Sequence, residues 1–144
     1  MTPAQRDQVC AIARRWIRTP WHHRARVEGV GVDCAQLLIA VYAEAGLLDA
    51  FDPGDYAIDQ MLHSDREDFR AWCARFGAEV EQPQPGDVVL WRFGRSFSHG
   101  GIVVSWPDRV IHAYRPWGGV AETPADVALL NGRSTCFYAI GDFS

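Results

Sequence analysis

The sequence predicts a single α+β domain, with N-terminal helices packed on one face of a central antiparallel β-sheet. Two observations lead there. The first half carries apolar residues at helical spacing, as at Val9, Ile12, Ala13 and Trp16. After Pro85-Gly86-Asp87 the period changes, and short β-rich runs alternate with turn signals. No repeat, low-complexity tract or linker divides the chain, so residues 1–144 read as one domain.

In chain order, Thr2 and Pro3 cap a first helix over Ala4–Arg18, which Thr19-Pro20 stops. Residues 21–32 form a glycine-bearing loop with adjacent His22 and His23. A second helix runs from Cys34 to Ala45, with Gly46 as its C-cap. A loop rich in Asp (Asp49–Asp59) leads to a third helix, Asp65–Phe76, ended by Gly77. The segment from Asp55-Tyr56 to His63 reads as an ordinary surface loop. Strands are expected over Val88–Phe93, Gly100–Trp106, Arg109–Tyr114 and Thr135–Ile140.

Composition excludes several functions. A net charge of −4 disfavours nucleic acid, and the local cluster Arg14, Arg15, Arg18, Arg24 and Arg26 reads as a solvated face. Arg92, Arg95 and Arg115 flank the later strands and read as solvated strand ends. The longest apolar run, Ala35–Ala45, is short and broken by Gln36 and Glu44, so no membrane span is expected. The N-terminus has no secretory h-region, which predicts synthesis and first residence in a cytoplasm. Cys10, Cys73 and Cys136 read as small buried hydrophobes. His22-His23 lacks a third ligand at clear spacing, so no metal is expected.

Cys34 differs. Asp33 is a good N-cap and Gln36 falls at capping-box spacing, which puts Cys34 at the first helical position. Unpaired N–H groups and the positive dipole end there favour the nucleophilic thiolate. Cys34, Leu37, Leu38, Val41 and Ala45 form one apolar stripe, aiming Cys34 at the sheet. A small residue filling that stripe would explain the position equally well.

Two histidines decide between these readings. If Ser105–Asp108 makes a hairpin turn, residue 104 faces 109 and 101 faces 112. His99 and His112 then lie on one face as diagonal neighbours, with room for a ring over Gly101. His99 would take the thiol proton as general base, and His112 would orient its ring. The Cys34 N–H is a candidate oxyanion donor.

These blocks resemble the NlpC family of papain-like cell-wall cysteine peptidases. The family order is Asp-Cys at a helix start, a Pro-Gly-Asp turn and strand, a His-x-Gly-Ile strand and an Ile-His-Ala strand. Here these read Asp33-Cys34, Pro85-Gly86-Asp87-Val88-Val89-Leu90-Trp91, His99-Gly100-Gly101-Ile102-Val103 and Val110-Ile111-His112-Ala113. The lead-in Trp16-Ile17-Arg18-Thr19-Pro20-Trp21-His22-His23 resembles the phage-tail and gene-transfer-agent branch.

The resemblance implies a papain-like NlpC-type fold in one peptidase domain, with the Cys helix packed on the sheet. It implies a cofactor-free thiol protease, a peptidoglycan hydrolase cutting the stem peptide at the D-glutamyl–diamino-acid bond. Cys34, His99 and His112 would be catalytic, with Asp33 engaging the substrate's free amino end. Ala35 and Gln36 stand where Ser-Gly usually follows Asp-Cys, and Trp21 where Tyr commonly follows Thr-Pro. Trp21 and Gln36 are thus the further substrate-side candidates. A tail member would be assembled with tail-tip or hub proteins of a phage-like particle and open the cell wall locally. The alternatives are a catalytically weak or inactive tail-tip component, and a thiol acyltransferase or amidase on a non-wall substrate.

Overall fold

The computed structural model describes residues 1–54, 56 and 67–141. Helix α1 (Pro3–Arg15) opens on a complete capping box: the Thr2 hydroxyl accepts from the Gln5 N–H at 3.1 Å, and the Gln5 side chain accepts from the Thr2 N–H at 2.8 Å. It ends three residues before the expected Arg18. The chain beyond it is captured by a distant strand, because Arg18 (φ +78°) donates its N–H to the Val120 carbonyl at 2.9 Å. The loop read over residues 21–32 contains a small hairpin, β1 (Arg26–Val27) with β2 (Gly31–Val32).

Helix α2 (Cys34–Glu44) starts where expected, with Asp33 accepting from the Gln36 N–H at 2.9 Å. Gly46 lies just past the C-cap in the left-handed region (φ +76°), the conformation that ends helices at glycine. Helix α3 spans Asp68–Phe76, and the expected start at Asp65 lies outside the described residues. Gly77 does not lead into a loop but begins strand β3 (Gly77–Val80). A Cβ there would come within 2.1 Å of the Ala139 carbonyl oxygen, so only glycine permits this approach.

The remaining strands are β4 (Val88–Phe93), β5 (Ser96–Ser105), β6 (Arg109–Tyr114), β7 (Gly119–Thr123) and β8 (Thr135–Ile140). They form one six-stranded antiparallel sheet in the order β3-β8-β4-β5-β6-β7. β4, β6 and β8 match the expected bounds, whereas β3 and β7 were not anticipated. Alternation divides the core in two. Val88, Leu90, Ile102, Ile111 and Ala113 pack with Val9, Leu37, Leu38, Val41 and Phe69 of the helices. Val89, Trp91, Val103, Val110 and Tyr114 pack on the opposite face with Ala125 and Leu130. Helices on one face of an antiparallel sheet is the predicted α+β arrangement.

Candidate functional site

The β5–β6 hairpin sets the histidine geometry. Ile102 pairs with Ile111 and Val103 with Val110, so the frame that places Gly101 opposite His112 holds. Near the turn the register shifts, Ser105 rather than Val104 facing Arg109, so a bulge absorbs one residue. A Cβ at Gly101 would lie 3.0 Å from the His112 Cβ, and the glycine leaves that space to the imidazole. The two rings meet edge to face, with His99 Nε2 2.9 Å from His112 Nδ1. His112 is fully buried, and its Nε2 lies 2.8 Å from the Thr123 hydroxyl on β7. Trp91 and Tyr114 pack against both rings.

Both histidines therefore belong to the sheet face opposite α2, and Cys34 does not reach them through the apolar stripe of its helix. Cys34 and His99 instead line one pocket at one end of the sheet. There the start of β5, the ends of β4 and β6 and the N-terminus of α2 converge. Trp21, Phe93, Ala113, Tyr114 and Leu129 complete much of its wall. The Cys34 Sγ contacts the Ser98 carbonyl at 4.0 Å.

The electrostatics differ from the expected resting thiolate. Burial, and secondarily the Asp33 carboxylate, push the Cys34 thiol up to about 12, while the N–H groups of Gly100, Ala35 and Cys34 pull weakly the other way. Local helix-terminus stabilisation is outweighed by desolvation, which the sequence does not display. Burial and the neighbouring His112 hold His99 well below the ordinary imidazole value, and burial lowers His112 to about 4. All three shifts favour the uncharged form, a thiol beside two neutral imidazoles.

Asp33 is 3% exposed and its oxygens are already engaged. Besides the Gln36 N–H it accepts from the Arg24 N–H at 2.7 Å and the Tyr56 hydroxyl at 2.6 Å, with His23 Nδ1 3.8 Å away. Tyr56, read as part of an ordinary loop, thus secures the N-cap; most of that loop lies outside the described residues. Gln36 does not complete a capping box, because its Oε1 is taken by Arg26 Nε at 2.6 Å and its amide faces Tyr56. It is 4% exposed and off the pocket wall, tying α2 to β1 rather than presenting an amide to a ligand there. Trp21 does line the pocket, with the Arg115 guanidinium 5.1 Å over its ring.

Thr123 escaped the sequence reading because its strand was not recognised. A β-branched residue closing a Gly-Val-Ala-Glu-Thr run was the available signal. Among the described residues no group of three His, Cys, Asp or Glu side chains could hold a metal ion. The four cysteines are free thiols; Cys34 is partly exposed and the other three are buried.

No family model matches the sequence, and no curated protein matches it. Solved structures do. The NlpC/p60 domain of the peptidoglycan hydrolase SagA superposes with a TM-score of 0.59 at 19% identity, covering 91% of this chain and 96% of that one. The fold is that of the NlpC/p60 domains. An NlpC/p60 family protein from Bacillus cereus gives a TM-score of 0.65 at 20% identity over 94% of this chain, which spans only 40% of that protein. RipD from Mycobacterium tuberculosis, described as a non-catalytic NlpC/p60 domain protein adapted to peptidoglycan binding, gives 0.59 at 18% identity, covering 94% of this chain and 96% of that one. The NlpC/p60 fold thus carries both hydrolases and a binding protein.

Proposed function

We propose that the chain is a cysteine peptidase that hydrolyses peptidoglycan stem peptides, with Cys34 as nucleophile, His99 as general base and His112 orienting the base. The observation that carries this reading is the pocket shared by Cys34 and His99, with the His99 ring held by His112 at 2.9 Å. The Cys34 thiol proton passes to His99 as sulfur attacks the scissile carbonyl, and His99 returns it to the leaving amine. Water then hydrolyses the thioester and restores the thiol. The bond cut is the D-glutamyl–diamino-acid bond, and the enzyme works in the tail tip of a phage or gene-transfer-agent particle; the residue 16–23 lead-in supports that setting.

Purified protein should release stem-peptide fragments from peptidoglycan, and Cys34→Ala should reduce release to the uncatalysed level. Release that persists in Cys34→Ala overturns the assignment. A second reading, stem-peptide binding without hydrolysis, is favoured by the Sγ contact to the Ser98 carbonyl and by the elevated thiol pKa. Thiol labelling near neutral pH separates the two. Preferential labelling of Cys34 that is lost in His99→Ala supports the peptidase, and equal sluggish labelling of all four cysteines supports the binder.

A further inference from the structure

We infer that Thr123 is a positioning residue that selects the working tautomer of His99 through a one-directional chain of hydrogen bonds. The inference rests on the peptidase reading for its consequence, but not for its geometry. The Thr123 hydroxyl has one proton, and the Pro124 carbonyl oxygen 2.9 Å away is an acceptor for it. A carbonyl can only accept whereas an imidazole nitrogen can donate, so a hydroxyl that gives its proton to the carbonyl leaves its oxygen to accept elsewhere.

The nitrogen 2.8 Å from that oxygen is His112 Nε2, which must then carry the ring proton. A neutral imidazole has one, so His112 Nδ1 presents a lone pair. The group 2.9 Å from that lone pair is His99 Nε2, which must donate in turn. His99 is left with Nδ1 as its unprotonated nitrogen, on a ring that lines the pocket with Cys34. Were the chain reversed, with Thr123 donating to His112, each ring would carry its proton on Nδ1. His99 could then take no proton at that nitrogen.

Thr123 is well placed for this role. It is 3% exposed, closes β7 and pairs with Val110 two residues before His112. Water cannot readily replace the hydroxyl there. Serine keeps the same donor and acceptor, while valine keeps the shape and deletes both.

Imidazole 15N NMR of the intact protein reads the chain directly. The expected result is His112 and His99 both protonated on Nε2 in the native protein and in Thr123→Ser, with mixed or inverted tautomers in Thr123→Val. Wall hydrolysis and Cys34 alkylation should fall about tenfold or more in Thr123→Val, mainly in kcat, and recover in Thr123→Ser; correct base placement is worth on the order of 10²-fold or more. A His112 protonated on Nδ1 in the native protein overturns the inference, whether or not any variant folds. So do unchanged tautomers in a folded Thr123→Val. If the native tautomers are as expected but no wall peptide is released, the peptidase reading fails and the Thr123 assignment stands.

Discussion

The proton inventory of the site makes its behaviour in acid predictable. His112 is neutral with its folded value near 4, whereas an unfolded chain would bind that proton near 6.5. As pH falls from about 6.5 to about 4 the unfolded state takes up the proton first, so stability drops across that window and levels below it. The full loss from this group is roughly 3 kcal/mol, read as a falling Tm between those pH values and largely removed in His112→Gln. A melting curve equally stable at pH 4.5 and 7 would contradict the buried neutral imidazole. His99, also held low, should remain a competent base in weak acid, so the acid limb of kcat/KM should lie below the ordinary imidazole value. The pairing of the two histidines was legible because a hairpin converts sequence separation into register, and the bulge next to Ser105 left that register intact. The charge state of Cys34 was not legible. A helix terminus is a local feature, but the burial that raises the thiol comes from residues distant in sequence.

Among the elements, α2 depends on its first turn. Asp33 satisfies the Gln36 N–H, the Arg24 N–H and the Tyr56 hydroxyl together, joining the helix to the loop before it and to Tyr56 after it. Asp33→Ala removes the cap and leaves buried donors unpaired, so it should cost about 2 kcal/mol or more in chemical denaturation. Asp33→Asn, which keeps an acceptor, should cost less. A loss under about 0.5 kcal/mol in Asp33→Ala would mean that water replaces the carboxylate there. Elements with strong internal period were readable: β4, β6 and β8 begin and end where the apolar runs do. β3 and β7 begin at Gly77 and Gly119, residues that normally mark turns, and only their partners reveal why glycine is required. At Gly119 a Cβ would lie 2.4 Å from the Thr19 carbonyl oxygen. Gln36 fits the same lesson: its spacing promised a capping box, and Arg26, ten residues back, claimed its side chain.

Over the whole molecule, α1, α2 and the sheet are joined at the Pro85-Gly86-Asp87 turn. Arg6 of α1 donates to the Asp87 carboxylate at 2.8 Å and to the Pro85 carbonyl at 3.0 Å. Tyr42 of α2 donates to the Gly86 carbonyl at 2.6 Å, and the Gly86 N–H bonds the Val103 carbonyl of β5 at 2.8 Å. The Asp87 side chain is 1% exposed, so Arg6→Ala removes the cation from a buried carboxylate that keeps the Gln84 N–H at 2.8 Å, and should cost about 3 kcal/mol in urea with an unchanged m-value. Arg6→Ala with Asp87→Ala should lose less than the two single losses added, and strict additivity would show that the pair is not coupled. The chain that overran the predicted α1 has an effect of another kind. By bonding Arg18, Thr19 and Trp21 to Val120 and Gly118, it covers the outer side of the first part of β7. A bare outer strand is a template for pairing with a second molecule, and here that template is occupied by the protein's own backbone. Among the described residues the opposite outer strand, β3, has no such cover from a neighbouring strand, but it is four residues long and carries Glu79. Many copies held close together would therefore resist sheet-to-sheet fusion at one margin by occlusion and at the other by brevity and charge.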